Sequence, residues 1–174
     1  MSGARIVLVT GGAKSGKSAW AERRVRDWAG TPFYIATAEA GDDEMAARIA
    51  DHRARRDGAW QVVEEPRALG RVLRETDGAG PRLVDCLTLW LSNEMLAGDG
   101  DWRGALEDLT GALRAQAGPV VLVTNEVGSG IVPANALARR FQDAAGVVNQ
   151  AMGALADEVV LVVAGQPLVI KSAG

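Results

Sequence analysis

The chain has 174 residues, of which 48% are hydrophobic and 24% charged, and its formal net charge is −3. That length and balance suit one soluble globular domain, residues 1–174, and the slight acidity argues against general affinity for nucleic acid or anionic membrane. No apolar stretch nears the roughly 20 residues of a membrane span, and a lone cysteine, Cys86, rules out an intramolecular disulfide and points to a cytoplasmic setting.

The first strand is expected over residues 5–10, where Arg5-Ile6-Val7-Leu8-Val9-Thr10 forms an apolar run. Met1-Ser2-Gly3-Ala4 leads straight into it, without the pattern of a signal peptide. Next comes Gly11-Gly12-Ala13-Lys14-Ser15-Gly16-Lys17-Ser18, which fits G-x-x-x-x-G-K-[ST]. A helix is expected over 19–28. The strand–loop–helix context is what separates a phosphate-binding loop from a chance match. Glycines let successive N–H groups turn inward on phosphate oxygens. Lys17 would reach the β/γ-phosphates, Ser18 would hold Mg²⁺, and the helix N-terminus adds partial positive charge. The stretch reads as a nucleotide-phosphate site.

Further strands are expected at 32–37, 60–64, 81–86, 119–124 and 158–163, several of them continuous apolar runs suited to parallel strands covered on both faces. Helical spacing marks 43–56, 67–75, 102–117 and 136–155. The alternation predicts an α/β, P-loop NTPase (RecA-like) fold with a mostly parallel sheet and helices on both faces. Residues 168–171 would return beside the sixth strand as an antiparallel edge hairpin, with Gly165 at the turn. Residues 76–80 and 98–101 read as surface turns.

Ligands of such sheets lie outside the carboxyl ends of the strands. Asp85 ends the fourth strand, either as a Walker-B carboxylate that holds Mg²⁺ or as a cap on a helix over 87–95. Thr37 ends the second strand, and Thr124-Asn125-Glu126 ends the fifth. On the 43–56 helix, Glu44, Arg48, His52 and Arg56 stack at four-residue spacing, with Arg53 and Arg55 flanking. That stripe is either a second phosphate site, where guanidinium groups keep the His52 imidazole neutral and nucleophilic, or a solvated face with no chemistry.

Taken together, these segments resemble the bifunctional adenosylcobinamide kinase/adenosylcobinamide-phosphate guanylyltransferases of cobalamin biosynthesis. The matching residues run nearly end to end: Val9 to Ser18, Tyr34-Ile35-Ala36-Thr37, Asp42-Asp43-Glu44-Met45-Ala46-Ala47-Arg48-Ile49, His52-Arg53 with Arg56, and Trp60 with Glu64. They continue through Val121 to Gly128, Gly130-Ile131-Val132-Pro133, Phe141, Asp143, Ala145-Gly146, Val148-Asn149-Gln150 and Ala156-Asp157-Glu158-Val159. The 42–52 and 124–133 stretches are far more specific than the phosphate loop.

The resemblance implies that ATP or GTP phosphorylates the cobinamide hydroxyl. It implies next that His52 attacks the α-phosphate of GTP, carries GMP and passes it to adenosylcobinamide phosphate. Carried over by position, nucleotide contacts fall on Gly11, Gly12, Ala13, Lys14, Ser15, Gly16, Lys17, Ser18, Thr37, Ala38, Glu39, Arg53, Ala54, Arg55, Arg56, Glu64 and Asp85, with His52 and Lys17 catalytic. Ser18 and Asp85 would be the Mg²⁺ contacts, and the assembly a homotrimer. Two positions depart from the pattern. Asp85 stands where many relatives carry glutamate, and Asp51 stands where a second histidine often precedes the nucleophile. A different small-molecule kinase on this fold would leave His52 among arginines without a reason. A regulatory GTPase lacks support, because no Asn-Lys pair exists for N-K-x-D, and an assembly ATPase usually brings further domains.

Overall fold

The expected apolar runs pair as one seven-stranded sheet in the order β3-β2-β4-β5-β1-β6-β7. The computed structural model describes residues 6–39, 58–98 and 100–173. In chain order these hold β1 (Ile6–Thr10), α1 (Lys17–Arg26), β2 (Phe33–Ala36), β3 (Gln61–Glu64), α2 (Leu69–Glu75) and β4 (Arg82–Asp85). Then come α3 (Leu87–Leu96), α4 (Trp102–Ala115), β5 (Val120–Val123), α5 (Ala136–Leu155), β6 (Glu158–Val163) and β7 (Gln166–Lys171). β1 through β6 are mutually parallel, and β7 alone runs antiparallel, against β6.

Strand alternation sorts the core into two layers. Ile6, Leu8, Ile35, Val84, Val120 and Leu122 face one side, packed with Leu73, Trp90, Leu109, Leu113, Val148 and Met152 from α2 to α5. Val7, Val9, Tyr34, Leu83, Val121 and Val123 face the other, against Ala21 and Val25 of α1. Four described helices thus cover one face and one covers the other. Beyond β6 the cover ends. Every residue of β7 is exposed.

Several element ends differ from the sequence expectation for local reasons. α1 starts at Lys17, two residues early, because Gly16 adopts φ 96°, a left-handed conformation from which the helix can begin at once. α2 starts at Leu69, two residues late, because the Glu65 carboxylate accepts from the amides of Arg67 (3.0 Å) and Ala68 (2.8 Å) and holds them out of the helix. α4 ends at Ala115 because the Asp77 carboxylate takes the amides of Ala117 (2.9 Å) and Gly118 (2.8 Å). The expected helix at 43–56 lies outside the described residues.

At the amino end of β4, Arg82 is fully buried. Its guanidinium donates to the carbonyls of Leu73 (3.0 Å) and Gly118 (2.6 Å) and sits 3.2 Å from Asp77. Burial lowers the Arg82 pKa against the raising effect of Asp77. Burial pushes the Asp77 carboxyl up, but the amides of Ala117 and Gly118, with Arg82, hold it below its ordinary range on balance. One cation therefore ties α2, β4 and the turn before β5 at the edge opposite the strand carboxyl ends. Arg82→Met should cost about 2–4 kcal/mol of unfolding free energy, because the Leu73 and Gly118 carbonyls lose their donor while Asp77, 25% exposed, keeps its amides. Urea denaturation measures it; a loss below about 1 kcal/mol, the scale of an exposed pair, would show that the cation is not structural.

Candidate active site

Because β1, β2, β4 and β5 are parallel, their carboxyl ends open on one edge of the sheet, and the loop 11–18 sits there after β1. Its shape is set by close approach. A Cβ on Gly11 would lie 2.5 Å from the Val162 carbonyl oxygen and 2.7 Å from Ser15 Oγ. One on Gly16 would lie 3.1 Å from the Gly165 Cα. Lys14 also takes a positive φ, 55°, without being glycine. The loop is fastened from three directions. The Glu126 amide after β5 donates to the Gly11 carbonyl (3.0 Å), the Gly165 amide in the β6–β7 turn donates to the Ser15 carbonyl (2.8 Å), and Lys17 Nζ donates to the Gly12 carbonyl (3.0 Å).

α1 has no side-chain N-cap and no acidic residue in its first turn. Its first N–H groups, which no helix can satisfy internally, are left for another acceptor. Lys17 is only 8% exposed. Burial pulls its ammonium below the ordinary 10.5, while Cys86 and Asp85 push it back up. A buried cation and a set of uncapped amides together select an anion.

Asp85 closes β4, two strand positions from β1, with β5 between. It is not the helix cap considered from sequence, since Cys86 occupies the N-cap of α3. The Asp85–Cys86 peptide is cis. One carboxylate oxygen, Oδ2, accepts the hydroxyl of Tyr34; Tyr34 is buried and meets Trp60 edge to face at 5.7 Å. Half-buried Asp85 and half-buried Ser18 offer hard oxygen ligands. This is the donor set that suits Mg²⁺ bound through one carboxylate and substrate phosphates.

Thr37 is fully buried one strand further, and its hydroxyl is spent inside the protein. It donates to the Cys86 carbonyl (2.8 Å) and accepts from the Cys86 amide (2.7 Å), so it braces the turn after Asp85. Ala38 is half-buried and Glu39 exposed beside it. Glu64 is exposed at the end of the edge strand β3, four strand spacings from β1 or roughly 19 Å. A triphosphate seated on the loop therefore leaves Glu64 for the far, nucleoside side. His52, Arg53, Ala54, Arg55 and Arg56 lie outside the described residues. Sequence reasoning missed Tyr34 as the partner of Asp85 and Gly165 as a clamp on the loop; both contacts cross from separate strands and leave no local pattern.

A family model described as cobinamide kinase / cobinamide phosphate guanyltransferase matches residues 7–170. The bifunctional adenosylcobalamin biosynthesis protein CobP of Pseudomonas aeruginosa is 47% identical over 166 residues, covering 94% of this chain and 96% of that protein. The bifunctional adenosylcobalamin biosynthesis proteins CobU of Salmonella typhimurium and Escherichia coli are 44% and 41% identical, each across 95% of this chain and 99% of its own length. Among solved structures, one from Pyrococcus horikoshii OT3 superposes with a TM-score of 0.55 at 9% identity, over 98% of this chain and 87% of that one. A type III secretion ATPase superposes with a TM-score of 0.55 at 12% identity, over 90% of this chain and 50% of that one. The distant structures share the fold alone, a RecA-like P-loop NTPase architecture. The loop, its buried lysine and the near full-length matches lead to one assignment: the chain belongs to the cobinamide kinase/cobinamide phosphate guanyltransferase family.

Proposed function

We propose that this chain carries out both reactions in turn, phosphorylating adenosylcobinamide with ATP or GTP and then transferring GMP to the adenosylcobinamide phosphate. The observation that carries the reading is the wedged glycine loop, with buried Lys17 at its end and Asp85 two strands away. In the kinase step the acceptor hydroxyl oxygen bonds to the γ-phosphorus and releases its proton to solvent, the bond to the β-phosphate bridge breaks, and the nucleoside diphosphate leaves. Lys17 and the loop amides neutralise the charge that builds on the phosphoryl oxygens. Ser18 and Asp85 would hold Mg²⁺, which supplies charge neutralisation on the β- and γ-oxygens.

In the guanylyl step, a ring nitrogen of His52 bonds to the α-phosphorus of GTP and pyrophosphate departs. The phosphate oxygen of adenosylcobinamide phosphate next attacks the same phosphorus, the P–N bond breaks, and adenosylcobinamide-GDP forms. A covalent intermediate divides one hard transfer into two easier ones. The arginines at 53, 55 and 56, together with Ala38, Glu39 and Glu64, complete the proposed nucleotide contacts. We also infer a cytoplasmic homotrimer; the exposed apolar side chains of Leu168, Val169 and Ile170 on β7 supply a surface fit for assembly. A P-loop kinase without guanylyl transfer is the competing reading, and the family match, which spans both activities, weighs against it.

One experiment separates these readings. After incubation with GTP labelled at the α-phosphate and denaturation, the protein should carry label that is acid-labile and alkali-stable, and His52→Ala should carry none. An unlabelled parent protein, or a labelled variant, would refute the nucleophile.

The second prediction concerns Lys17, whose folded pKa is held below 10.5 by burial. Between the two pKa values the unfolded chain binds more protons than the folded one, so stability rises with pH across that window and the cost of the buried charge is full below it. Lys17→Met should therefore raise the urea midpoint at pH 7, with the gain shrinking towards pH 10.5, while both activities fall by about 10²–10³-fold. A variant that is less stable at pH 7, or that stays active, would contradict the role given to this ammonium.

A further inference from the structure

Two clefts adjoin between α3, α5 and the loop after β5, sharing Val127 and Gln142 as their common wall. The outer one, of about 430 Å³, is apolar, with Met95 and Leu96 of α3 facing Leu137 and Phe141 of α5. Leu96 is 71% exposed and Leu137 46%, which is unusual for side chains lining the same concavity on a soluble protein. The inner one, of about 330 Å³, is lined by the amide side chains of Gln142, Asn149 and Gln150 and by Glu126. The Glu126 amide is the donor that grips Gly11 of the phosphate loop, so one wall residue of the inner cleft touches that loop.

The walls are fixed before any ligand arrives. Asn149 accepts from the Thr124 hydroxyl (2.7 Å) and donates to the Asn125 carbonyl (3.3 Å). Gln142 Nε2 donates to the Val127 carbonyl (2.9 Å), which holds the shared wall in place. Many of these residues fall in the 124–133 and 148–150 stretches, which stand out in the sequence yet have no part in gripping the triphosphate. The groove thus grades from phosphate loop to amide-rich wall to apolar wall. Its complement is a large ligand with a hydroxyl or phosphate at one end, carboxamides on its rim and a broad apolar face.

We propose that this groove seats the cobinamide acceptor, with its hydroxyl end at Glu126 beside the phosphate loop, its carboxamide rim on Gln142, Asn149 and Gln150, and its macrocycle against Leu96, Leu137 and Phe141. The inference rests on the functional reading above, because it takes cobinamide as the acceptor. A site for an acceptor has to lie within reach of the γ-phosphate, and the inner cleft shares Glu126 with the contact that fastens the phosphate loop. Its size matches the cavities that small-molecule ligands fill.

Leu96→Glu and Leu137→Glu put a carboxylate on the apolar wall at positions exposed enough to leave folding intact. With hydroxocobinamide and GTP as probes, each variant should raise the KM for cobinamide by about tenfold or more, since an unpaired charge must be desolvated against the macrocycle. The KM for GTP and the sedimentation behaviour should match those of the unsubstituted protein. Cobinamide KM values within about twofold of the parent in both variants would overturn the groove while leaving the enzyme assignment standing. A change in assembly state accompanying the KM change would overturn it as well, because the face would then belong to contact with a second copy of the chain. Failure of the unsubstituted protein to phosphorylate cobinamide would instead remove the functional reading, and the groove with it.

Discussion

The site depends on one steric constraint: backbone meets backbone where the phosphate loop passes the end of β6. With the Val162 carbonyl 2.5 Å from where a Gly11 Cβ would stand, and Gly165 3.1 Å from where a Gly16 Cβ would stand, only glycine lets the loop lie this close to the sheet. Hydrogen bonds from Glu126 and Gly165 then fasten it from either side. The result is a loop whose shape is fixed before a ligand arrives, so little ordering cost falls on binding. The β6–β7 hairpin, which otherwise looks like a fringe added to a finished sheet, is part of that clamp. Its turn passes through Ala164 and Gly165, both with positive φ, the backbone geometry of a tight two-residue hairpin.

Electrostatics act within that frame. Lys17 is buried at the start of α1, where the helix dipole already favours negative charge, and among the described residues its ammonium donates to a carbonyl of its own loop. A cation so placed is destabilising until an anion joins it, and a polyphosphate brings that anion together with acceptors for the uncapped amides. The structure therefore gives up stability at the place where it gains binding. At the opposite edge Arg82 is also buried, but its two terminal nitrogens are taken up by the Leu73 and Gly118 carbonyls and Asp77, and it holds the sheet together. The contrast marks which edge is scaffold and which is site.

Much of the fold was legible from local pattern. β6 and α5 have the expected bounds because each is bracketed by strong signals: Asn135 caps α5, and its side chain accepts from the amides of Leu137 and Ala138. The glycine–lysine loop was legible because phosphate chemistry demands those residue types in that order. The starts and ends of α1, α2 and α4 were not, since Gly16, Glu65 and Asp77 act through backbone geometry or hydrogen bonds that propensity does not encode. Thr37 shows a subtler gap. The resemblance counts it among the nucleotide contacts, and what local pattern did not reveal is that its hydroxyl exchanges cross-strand bonds with Cys86 and braces the Asp85 turn. Tyr34, one residue in an ordinary apolar strand, meets Asp85 only because β2 and β4 are neighbours. The groove beside Glu126 draws on α3, the loop after β5 and α5, and no window of sequence contains all three.

The most direct test of the central claim is a crystal structure with a non-hydrolysable GTP analogue. The β- and γ-phosphate oxygens should lie on the backbone amides of residues 13–18, with Lys17 Nζ transferred from the Gly12 carbonyl to the phosphates. Phosphates bound elsewhere, with Lys17 still on Gly12, would contradict it.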